Sequence, residues 1–502
     1  MARPLVCLCL TGKTLEEDAT IVRKYKKYLD IVELRADFLE QDEQLRIRDF
    51  PSMVNVPVIL TIRRKIDGGR YMEGESSRTM LFARALAFAD SDTRKNFAYV
   101  DFEEDFHVPG LQDAALAFGI KIIRSCHKMT EPVSDIAEHF RKMRTTGFEI
   151  PKISFMPRTL HDVTRAFKEA EKLEHSEQIL CAMGALGFPT RVLSAKLHSY
   201  LTYTSPSETL GNLFSIGHID PITLENLYHF HSIDETTKIF GITGFPLKYT
   251  SSPKIQNAFF AEKQMNAVYI PFKSATIEDA LEFADTLKVR GFSVTIPHKE
   301  SAITLLREAD AVAESIGACN TVVKENGHWK GYNTDCSGFL KALLEFTGFK
   351  NLKHMKVAVI GAGGASRAIC CAVKELGGKA CVFNRTLEKA KLIAEKYGFD
   401  YATLGPESQE KLKKYSQLII QTTSKGMGIK EPSNAENDPI WFYAFTGKEI
   451  VCDIIYEPEV TPVMARADAA GCKVSNGLSM LKYQAESQFE LFKGVYTNAE
   501  SE

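Results

Sequence analysis

Four pairs of polar residues stand two positions apart where apolar runs of the sequence end. The pairs are Glu33 and Arg35, Thr61 and Arg63, Asp101 and Glu103, and Ser125 and His127. A spacing of two places both members of a pair on one face of a strand. Charged groups at the ends of buried strands need a polar cavity or ionic partners. Any single pair is typical of a surface salt bridge, but four pairs at four strand ends indicate a shared polar site.

Lys152 stands inside a fifth apolar run, Ile150-Pro-Lys-Ile-Ser-Phe-Met156. A lysine is rarely buried unless it is paired. Burial of an amine lowers its pKa and makes it available as a nucleophile toward a ketone. The alternative is that the stem of Lys152 carries the ammonium group to the rim and pairs it with a carboxylate. This segment by itself leaves both interpretations open.

The second half of the chain contains a glycine-rich turn between a strand-like run and a helical stretch. The run at 356–360 leads into Gly361-Ala-Gly-Gly-Ala-Ser-Arg-Ala368, in which Ser366 occupies the third position of the dinucleotide-binding fingerprint. Such a turn brings backbone N–H groups and the helix dipole onto a pyrophosphate. The next strand-like run ends in Asn384 and Arg385, which suit a 2′-phosphate better than the acidic residue typical of NAD enzymes. We therefore predict NADP as the cofactor, the alternative being that Arg385 is a solvated turn residue.

These residues require strands that end at one face of an α/β fold. Residues 1–235 contain eight strand-like runs, at 5–10, 29–34, 57–62, 98–102, 121–124, 151–155, 179–183 and 200–203. Amphipathic stretches separate most of them: Val163, Ala166, Phe167, Ala170 and Leu173 form one stripe, and a second helix has Pro132 in its first turn. This pattern predicts a (β/α)8 barrel, with the polar pairs at its C-terminal mouth. A doubly wound sheet is the alternative, but this half lacks a glycine-rich phosphate loop.

Composition excludes several classes of function. The 502 residues are too many for one core, and 62 Lys plus Arg against 64 Asp plus Glu give a net charge of −2. We therefore expect no nucleic-acid or membrane partner, and small molecules as ligands. The 11 cysteines lack metal-site spacing, so we predict no metal and a reducing, cytoplasmic location. The N-terminus resembles no targeting segment.

Residues 1–230 resemble the class I 3-dehydroquinate dehydratases, which are (β/α)8 barrels. The motifs appear in order as V-E-L-R-A-D (32–37), T-I-R (61–63), V-D-F-E (100–103), S-C-H (125–127), K-I-S-F-M-P (152–157) and A-M-G (182–184). The resemblance implies that Lys152 forms a Schiff base with the C3 ketone of dehydroquinate. It further implies that His127 moves the C2 proton to the leaving C1 hydroxyl and that Glu103 orients the His127 ring.

The resemblance also implies the substrate contacts of this half. Arg191 and Arg63 would hold the carboxylate, and Glu33 and Arg35 the ring hydroxyls. The family closes its site with a lid reading roughly S-x-P-G-Q, whereas this chain has Phe-Ser-Ile-Gly-His at 214–218. His218 therefore stands where glutamine is expected, and Ser215 is the candidate for the lid serine.

Residues 239–490 resemble shikimate dehydrogenase. Before the glycine-rich turn come Gly244-Phe-Pro-Leu-Lys-Tyr-Thr-Ser-Ser-Pro253, Val294-Thr-Ile-Pro-His-Lys299, Gly317-Ala-Cys-Asn-Thr321 and Gly331-Tyr-Asn-Thr-Asp335, and after it Gln421-Thr-Thr-Ser-Lys-Gly-Met427, Asp453-Ile-Ile-Tyr-Glu-Pro458 and Asn476-Gly-Leu-Ser-Met-Leu481. The resemblance implies that Lys299 and Asp335 form the catalytic pair. The substrate would be bound by Thr250, Ser252, Thr295, Asn320, Tyr456 and Gln484. The cofactor would contact Gly361, Ala362, Gly363, Gly364, Ala365, Asn384, Arg385, Thr386, Thr422, Met427 and Gly477.

Together the halves resemble the bifunctional fusions of these two families in aromatic biosynthesis. The predicted division is a barrel at 1–235 and a two-lobed α/β unit at 236–502. Its substrate lobe would comprise about 236–345 plus a C-terminal helix at about 477–495, and its Rossmann NADP lobe about 346–476. Thr250 departs by one methyl group from the usual Ser-x-Ser pair, so a preference for shikimate or quinate stays open. Two alternatives are an NAD-linked quinate dehydrogenase fused to a dehydratase and a non-catalytic sensor of quinate or shikimate. The oligomeric state is open.

Overall fold

The computed structural model describes residues 3–498 except 88–89, 91, 174–176, 210–216 and 248–249. By their internal contacts the residues form two units, Met1–Gly241 with Phe260–Val289 and Ile242–Phe259 with Arg290–Glu502. Across the described ranges, no helix combines the length and the apolar character needed to cross a bilayer.

The first unit contains an eight-stranded parallel sheet with the order β7-β6-β5-β4-β3-β2-β1-β8. Its strands are β1 Leu5–Leu10, β2 Ile31–Arg35, β3 Val58–Thr61, β4 Tyr99–Glu103, β5 Lys121–Lys128, β6 Glu149–Phe155, β7 Ile179–Ala182 and β8 Leu201–Thr204. At the seam between β7 and β8 the Tyr200 N–H donates to the Gln178 carbonyl at 2.6 Å. The predicted (β/α)8 barrel is confirmed.

Helices follow the strands of this unit and cover the sheet. They are α1 Leu15–Tyr25, α2 Gln41–Gln44, α3 Phe50–Val54, α4 Glu75–Leu86, α5 Pro109–Ala117, α6 Ile136–Met143, α7 Leu160–Ala170, α8 Phe188–Val192 and α9 Pro221–Tyr228. Helix α7 begins at a capping box formed by Thr159 and Asp162, and its predicted apolar stripe is buried as expected. Helix α6 begins at Ile136 rather than near Pro132, because Asp135 before it is left-handed, with φ 54°.

The strand ends bring the predicted polar residues together. Strand β5 extends to Lys128, four residues beyond the predicted end, and in its register Ser125 pairs with Lys152 and His127 with Ser154. On its other side Glu103 of β4 pairs with Ser125. The polar end of β5 is strand because its neighbours β4 and β6 extend alongside it and satisfy its backbone groups.

Strand β9, Lys238–Thr243, contains the boundary between the units, and β10, Ala267–Pro271, belongs to the first. The second unit has a mixed sheet with the order β11-β13-β14-β12. Its strands are β11 Gly291–Val294, β12 Glu308–Ala309, β13 Thr321–Glu325 and β14 His328–Tyr332. Helices of this part of the chain are α10 Ser252–Glu262, α11 Ile277–Thr286, α12 Lys299–Leu305, α13 Ala311–Ile316 and α14 Asp335–Thr347.

A second sheet of this unit is entirely parallel and has the order β17-β16-β15-β18-β19-β20. Its strands are β15 Lys356–Ile360, β16 Lys379–Asn384, β17 Asp400–Thr403, β18 Leu418–Gln421, β19 Ile450–Asp453 and β20 Lys473–Ser475, and its helices are α15 Gly364–Glu375, α16 Leu387–Tyr397, α17 Gln409–Tyr415, α18 Pro462–Ala469 and α19 Leu478–Asn498. This is the Rossmann order, which places a ligand outside the carboxyl ends of β15 and β18, where the strand order reverses. The predicted Rossmann lobe is confirmed.

Candidate active sites

The ammonium group of Lys152 is buried in the first unit between acidic side chains. Lys152 is 4% exposed, and its Nζ lies 3.0 Å from Asp101 Oδ2 and 3.8 Å from Glu33 Oε1. The same atom lies 4.4 Å from the centroid of the Tyr203 ring. The Lys152 ammonium is therefore held inside the fold and is not carried to the rim.

Arg63 joins the acids of β4 into one network. Its guanidinium lies 2.8 Å from Asp101 and 2.8 Å from Glu103, and Ser125 Oγ donates to Asp101 at 2.5 Å. Burial opposes ionisation of Asp101, but Arg63 and Lys152 hold the pKa of its carboxyl well below its usual range. Asp101 is therefore an anion that fixes two cations of this site, Arg63 and Lys152.

The carboxylate of Glu103 accepts hydrogen bonds from two arginines. Its second carboxylate oxygen accepts a hydrogen bond from Arg78 at 2.6 Å, while the first accepts from Arg63. Both oxygens thus face arginines, and Nδ1 of His127 has no hydrogen-bond partner within the described part of the chain. The carboxylate of Glu103 therefore joins Arg63 to Arg78 in this structure, and its role in orienting the His127 ring stays a prediction.

The surroundings of His127 favour its neutral form. Burial, together with the positive charges of Arg63 and Lys152, lowers the pKa of its imidazole well below the usual value. A neutral imidazole can accept a proton from a substrate carbon and return it to a leaving group.

His218 is fixed by two neighbours. Its ring stacks on Tyr203 with centroids 6.4 Å apart and planes 8° from parallel, and Ser205 Oγ lies 2.5 Å from its Nδ1. Burial, with the charges of Arg191, Arg35 and Lys152, lowers the pKa of this imidazole well below the usual value. His218 therefore presents a neutral ring to the cavity.

These residues surround a cavity of about 70 Å³. Of the predicted residues it is lined by Glu33, Arg35, Arg63, His127, Lys152, Arg191 and His218. Sequence reasoning missed further lining residues, namely Cys9, Asp67, Gly68, Met129, Ser154, Cys181, Met183 and Tyr203. Glu103 does not line the cavity, and Ser215 lies outside the described residues. Asp101, which contacts Lys152 without lining the cavity, could have been predicted as a site residue, because it stands two positions before Glu103 on the same strand face.

In the second unit, Lys299 and Asp335 form a close ion pair. Lys299 Nζ lies 2.5 Å from Asp335 Oδ2, and Asn320 Nδ2 donates to Asp335 Oδ1 at 2.8 Å. Lys299 begins α12 and Asp335 begins α14. The amide of Asn320 also donates to Thr334 Oγ1 at 2.9 Å. Asp335 is therefore held from two sides, and it fixes the Lys299 ammonium.

The glycine-rich turn leaves open backbone between β15 and α15. Gly361 has φ +116°, and a Cβ there would lie 2.6 Å from Thr422 Oγ1. At Gly363, which precedes α15, a Cβ would meet no heavy atom within 4 Å. The first turn of α15 thus presents free N–H groups to the space beside it. This cradle fits the pyrophosphate of a dinucleotide, because a side chain on Gly363 would fill it.

One cavity of about 580 Å³ joins the ion pair to this turn. All the predicted residues of the second half line it: Thr250, Ser252, Thr295, Lys299, Asn320, Asp335, Gly361, Ala362, Gly363, Gly364, Ala365, Asn384, Arg385, Thr386, Thr422, Met427, Tyr456, Gly477 and Gln484. Missed lining residues include Lys389, Thr423, Ser424 and Gln488. The volume is within the usual range for ligand pockets, about 300–1,000 Å³.

Three family descriptions match the chain in order. Type I 3-dehydroquinase matches residues 6–235, the shikimate dehydrogenase substrate-binding domain matches residues 242–322, and shikimate/quinate 5-dehydrogenase matches residues 344–440.

Relatives match one half or both halves. The chloroplastic bifunctional 3-dehydroquinate dehydratase/shikimate dehydrogenase of Arabidopsis thaliana is 31% identical over 492 residues, covering 93% of this chain and 78% of the relative. The shikimate dehydrogenase (NADP(+)) of Caldanaerobacter subterraneus subsp. tengcongensis is 40% identical over 275 residues, covering 53% of this chain and 94% of the relative. The crystal structure of shikimate dehydrogenase from Aquifex aeolicus is 35% identical, with a TM-score of 0.47, and covers 54% of this chain and 100% of that one.

The folds and sites define an α/β fusion of a barrel enzyme with a dinucleotide-dependent reductase. The matches to both halves agree with this class in order and extent. The chain belongs to the family of bifunctional 3-dehydroquinate dehydratase/shikimate dehydrogenases.

Proposed function

We propose that the chain performs two consecutive reactions at the two cavities. It dehydrates 3-dehydroquinate to 3-dehydroshikimate, and it reduces 3-dehydroshikimate to shikimate with NADP as the cofactor. The observation that carries this function is the pairing of two lysine sites, Lys152 beside a neutral His127 and Lys299 beside a dinucleotide cradle. We also propose that residues 1–235 form the dehydratase and residues 236–502 form the dehydrogenase.

In the dehydratase, Lys152 would attack the C3 ketone as the free amine. The proton lost from its ammonium group would leave with the ketone oxygen as water when the iminium forms. The iminium withdraws electrons from C2, so His127 can take the C2 proton. His127 then returns a proton to the C1 hydroxyl, which leaves as water. Hydrolysis of the remaining iminium regenerates Lys152 and releases 3-dehydroshikimate. Arg191 would hold the substrate carboxylate, and Glu33 and Arg35 the ring hydroxyls.

Arg63 has a different place in this proposal from the one expected for it. It already faces Asp101 and Glu103 at 2.8 Å each. We propose that its charge keeps Asp101 ionised beside Lys152 and supplements Arg191 in attracting the carboxylate. Ser215 is retained as a candidate lid residue, and His218 as the residue that replaces the lid glutamine.

In the reductase, Lys299 would donate a hydrogen bond and then a proton to the ketone oxygen of 3-dehydroshikimate. Negative charge develops on that oxygen as a hydride reaches the carbonyl carbon. Asp335 holds the Lys299 ammonium in position, and Thr250, Ser252, Thr295, Asn320, Tyr456 and Gln484 would bind the carboxylate and hydroxyls. NADPH, when bound, supplies the hydride. Its pyrophosphate would lie on residues 361–365, and its 2′-phosphate near Asn384, Arg385 and Thr386.

Reciprocal single variants test this proposal in one set of assays. Lys152→Ala should abolish dehydration and leave reduction of 3-dehydroshikimate intact, because all reductase residues lie in the other unit. Lys299→Ala should lower kcat for reduction by roughly 10²–10⁴, the usual contribution of a positioned acid, and leave dehydration intact. Borohydride with dehydroquinate should label Lys152, whereas Lys121→Ala, an exposed lysine on β5, is the control and should behave as the parent chain. Labelling elsewhere would contradict the assignment of the Schiff base to Lys152. No turnover by the parent chain would contradict the proposed function and favour a sensor.

We propose a cytoplasmic location for the enzyme. All eleven cysteines are free and buried, which suits a reducing compartment. The relative from Arabidopsis thaliana is described as chloroplastic. Imaging of the fluorescently tagged chain in its source cells distinguishes the two, since accumulation in an organelle would contradict a cytoplasmic location.

A further inference from the structure

A thiol, an imidazole and a carboxylate from three elements meet outside both proposed active sites. Cys126 lies in β5, His139 in α6, and Glu104 directly follows β4. One potential ligand atom from each lies within 4.8 Å of the other two. His139 Nε2 is 2.6 Å from Glu104 Oε2, and the Cys126 thiol donates a hydrogen bond to the same carboxylate.

We propose that Cys126, His139 and Glu104 bind a zinc(II) ion, with water as the fourth ligand. Zinc prefers this mixture of sulfur, nitrogen and oxygen donors in a tetrahedral arrangement. Bond lengths of about 2.0–2.3 Å place tetrahedral donors about 3.3–3.8 Å apart. The present separations need only small side-chain movements to reach that geometry. The thiol proton passes to solvent as the zinc–sulfur bond forms, and the ion keeps its oxidation state.

Burial at the cluster matches a site with one open side. Cys126 is 5% exposed, whereas the side chains of His139 and Glu104 are 23% and 39% exposed. The sulfur therefore forms the floor of the site, and the other two donors lie where a hydrated ion can enter. Three protein ligands with one water position is an arrangement typical of open zinc sites.

Two nearby charges act on the cluster in opposite directions. Lys128, at the end of the same strand, and Asp67 both act electrostatically on Cys126. The lysine disfavours a bound cation, and the aspartate favours one. Lys128→Gln should therefore tighten zinc binding without removing a ligand.

A second cluster in the other unit provides an internal comparison. Cys336, Cys371 and Glu375 also have ligand atoms within 4.8 Å of one another. This cluster has no imidazole, and its two thiols are hydrogen-bonded to each other. We therefore assign the ion to the first cluster and use the second as a control.

Calorimetric titration of the full chain, stripped with a chelator, with zinc chloride tests the assignment. We expect one saturable site, and cobalt(II) in place of zinc should give a thiolate-to-metal charge-transfer band. Cys126→Ser should abolish that band, and both Cys126→Ser and His139→Asn should weaken binding at least as much as the roughly 10–100-fold typical of outer-shell changes.

Matched controls separate this site from adventitious binding. Cys371→Ser and His161→Asn should bind zinc as the parent chain does. Cys371 belongs to the second cluster, and His161, which pairs with Glu282 at 2.6 Å, belongs to neither. No saturable binding, or binding that survives Cys126→Ser and His139→Asn, would overturn the proposal. If Cys126→Ser fails to fold, as circular dichroism would reveal, the His139→Asn loss and the Lys128→Gln gain decide the question.

Discussion

The two proposed catalytic lysines have different surroundings, and the difference matches the two chemistries. Lys152 is enclosed by Asp101, Glu33 and the ring of Tyr203, so a bond to a substrate carbon forms away from bulk water. The Lys299 side chain is 16% exposed and has one close acidic partner, Asp335. A residue that only donates a proton can be recharged from solvent. The different burial of the two lysines therefore agrees with the proposed roles of Lys152 as nucleophile and Lys299 as proton donor.

His218 makes the stability of the first unit dependent on pH. Burial lowers its folded-state pKa well below the usual 6.5, so below about pH 6.5 the unfolded chain binds a proton that the folded chain does not. Stability is therefore lost as pH falls through this region. His218→Gln should remove up to about 1.4 kcal/mol of that loss per pH unit.

Urea unfolding at pH 7.5 and 5.5 measures this effect. Circular dichroism follows the unfolding of both units. The fluorescence of Trp329 and Trp441, both in the second unit, follows the unfolding of that unit alone, so the remaining circular-dichroism transition belongs to the first unit. Between pH 7.5 and pH 5.5, the free energy of unfolding of the first unit should fall less in His218→Gln than in the parent chain. An identical difference at both pH values would show that His218 carries no such proton linkage.

Arg385 tests cofactor preference at the same scale. It lines the large cavity beside Asn384 and Thr386. If its guanidinium pairs with the 2′-phosphate, Arg385→Ala should weaken NADPH binding more than NADH binding by roughly 1.5–3 kcal/mol, as for hydrogen bonds to charged groups. Fluorescence titration of both cofactors measures the difference. Equal losses would make the arginine structural and leave an NAD-linked enzyme as the alternative.

At the scale of elements, the turn between β15 and α15 contains two glycines with different constraints. Gly361→Ala places a Cβ against Thr422 at a left-handed φ and should cost roughly 1–3 kcal/mol in stability. Gly363→Ala has room in the protein and an ordinary φ of −105°. It should fold normally yet lose NADPH affinity, because the added methyl group occupies the pyrophosphate cradle.

Thermal unfolding and NADPH titration of both variants separate these effects. The reverse pattern, with a stable Gly361→Ala and an unstable Gly363→Ala, would contradict the assignment of Gly361 to backbone geometry and of Gly363 to pyrophosphate binding.

The strands were largely predictable, and the side-chain partners were not. All eight barrel strands lie within about two residues of their predicted bounds except the polar end of β5, since a run such as Leu5–Leu10 signals a buried strand by itself. The two arginine partners of Glu103 depend on how β3, β4 and α4 pack. No spacing in the sequence encodes that packing, so the sequence placed Glu103 in the polar network without showing which side chains it contacts, and its orienting role stays a prediction.

At the scale of the whole molecule, each cavity is built within one unit. A ligand stabilises the unit that binds it, by about 2.7 kcal/mol at 100 times its Kd. NADPH should therefore slow heat inactivation of the reductase more than that of the dehydratase. Gly363→Ala, which we expect to bind NADPH weakly, should lose this protection. Equal protection of both activities in the parent chain would contradict assignment of the cofactor to the second unit.

The spread of each site along the chain sets the order in which a new molecule becomes active on the ribosome. The dehydratase cavity needs residues from Cys9 to His218, whereas the reductase cavity draws on residues from Ile242 to Gln488, the last of them in α19. Domains fold as units during synthesis at about 5–20 residues per second. The first unit extends to Val289, so the roughly 200 residues from there to Gln488 take about 10–40 s. During that interval the growing polypeptide can hold a complete dehydratase cavity and an unfinished reductase. The late arrival of α19 makes the reductase the half whose activity reports that translation has passed residue 488.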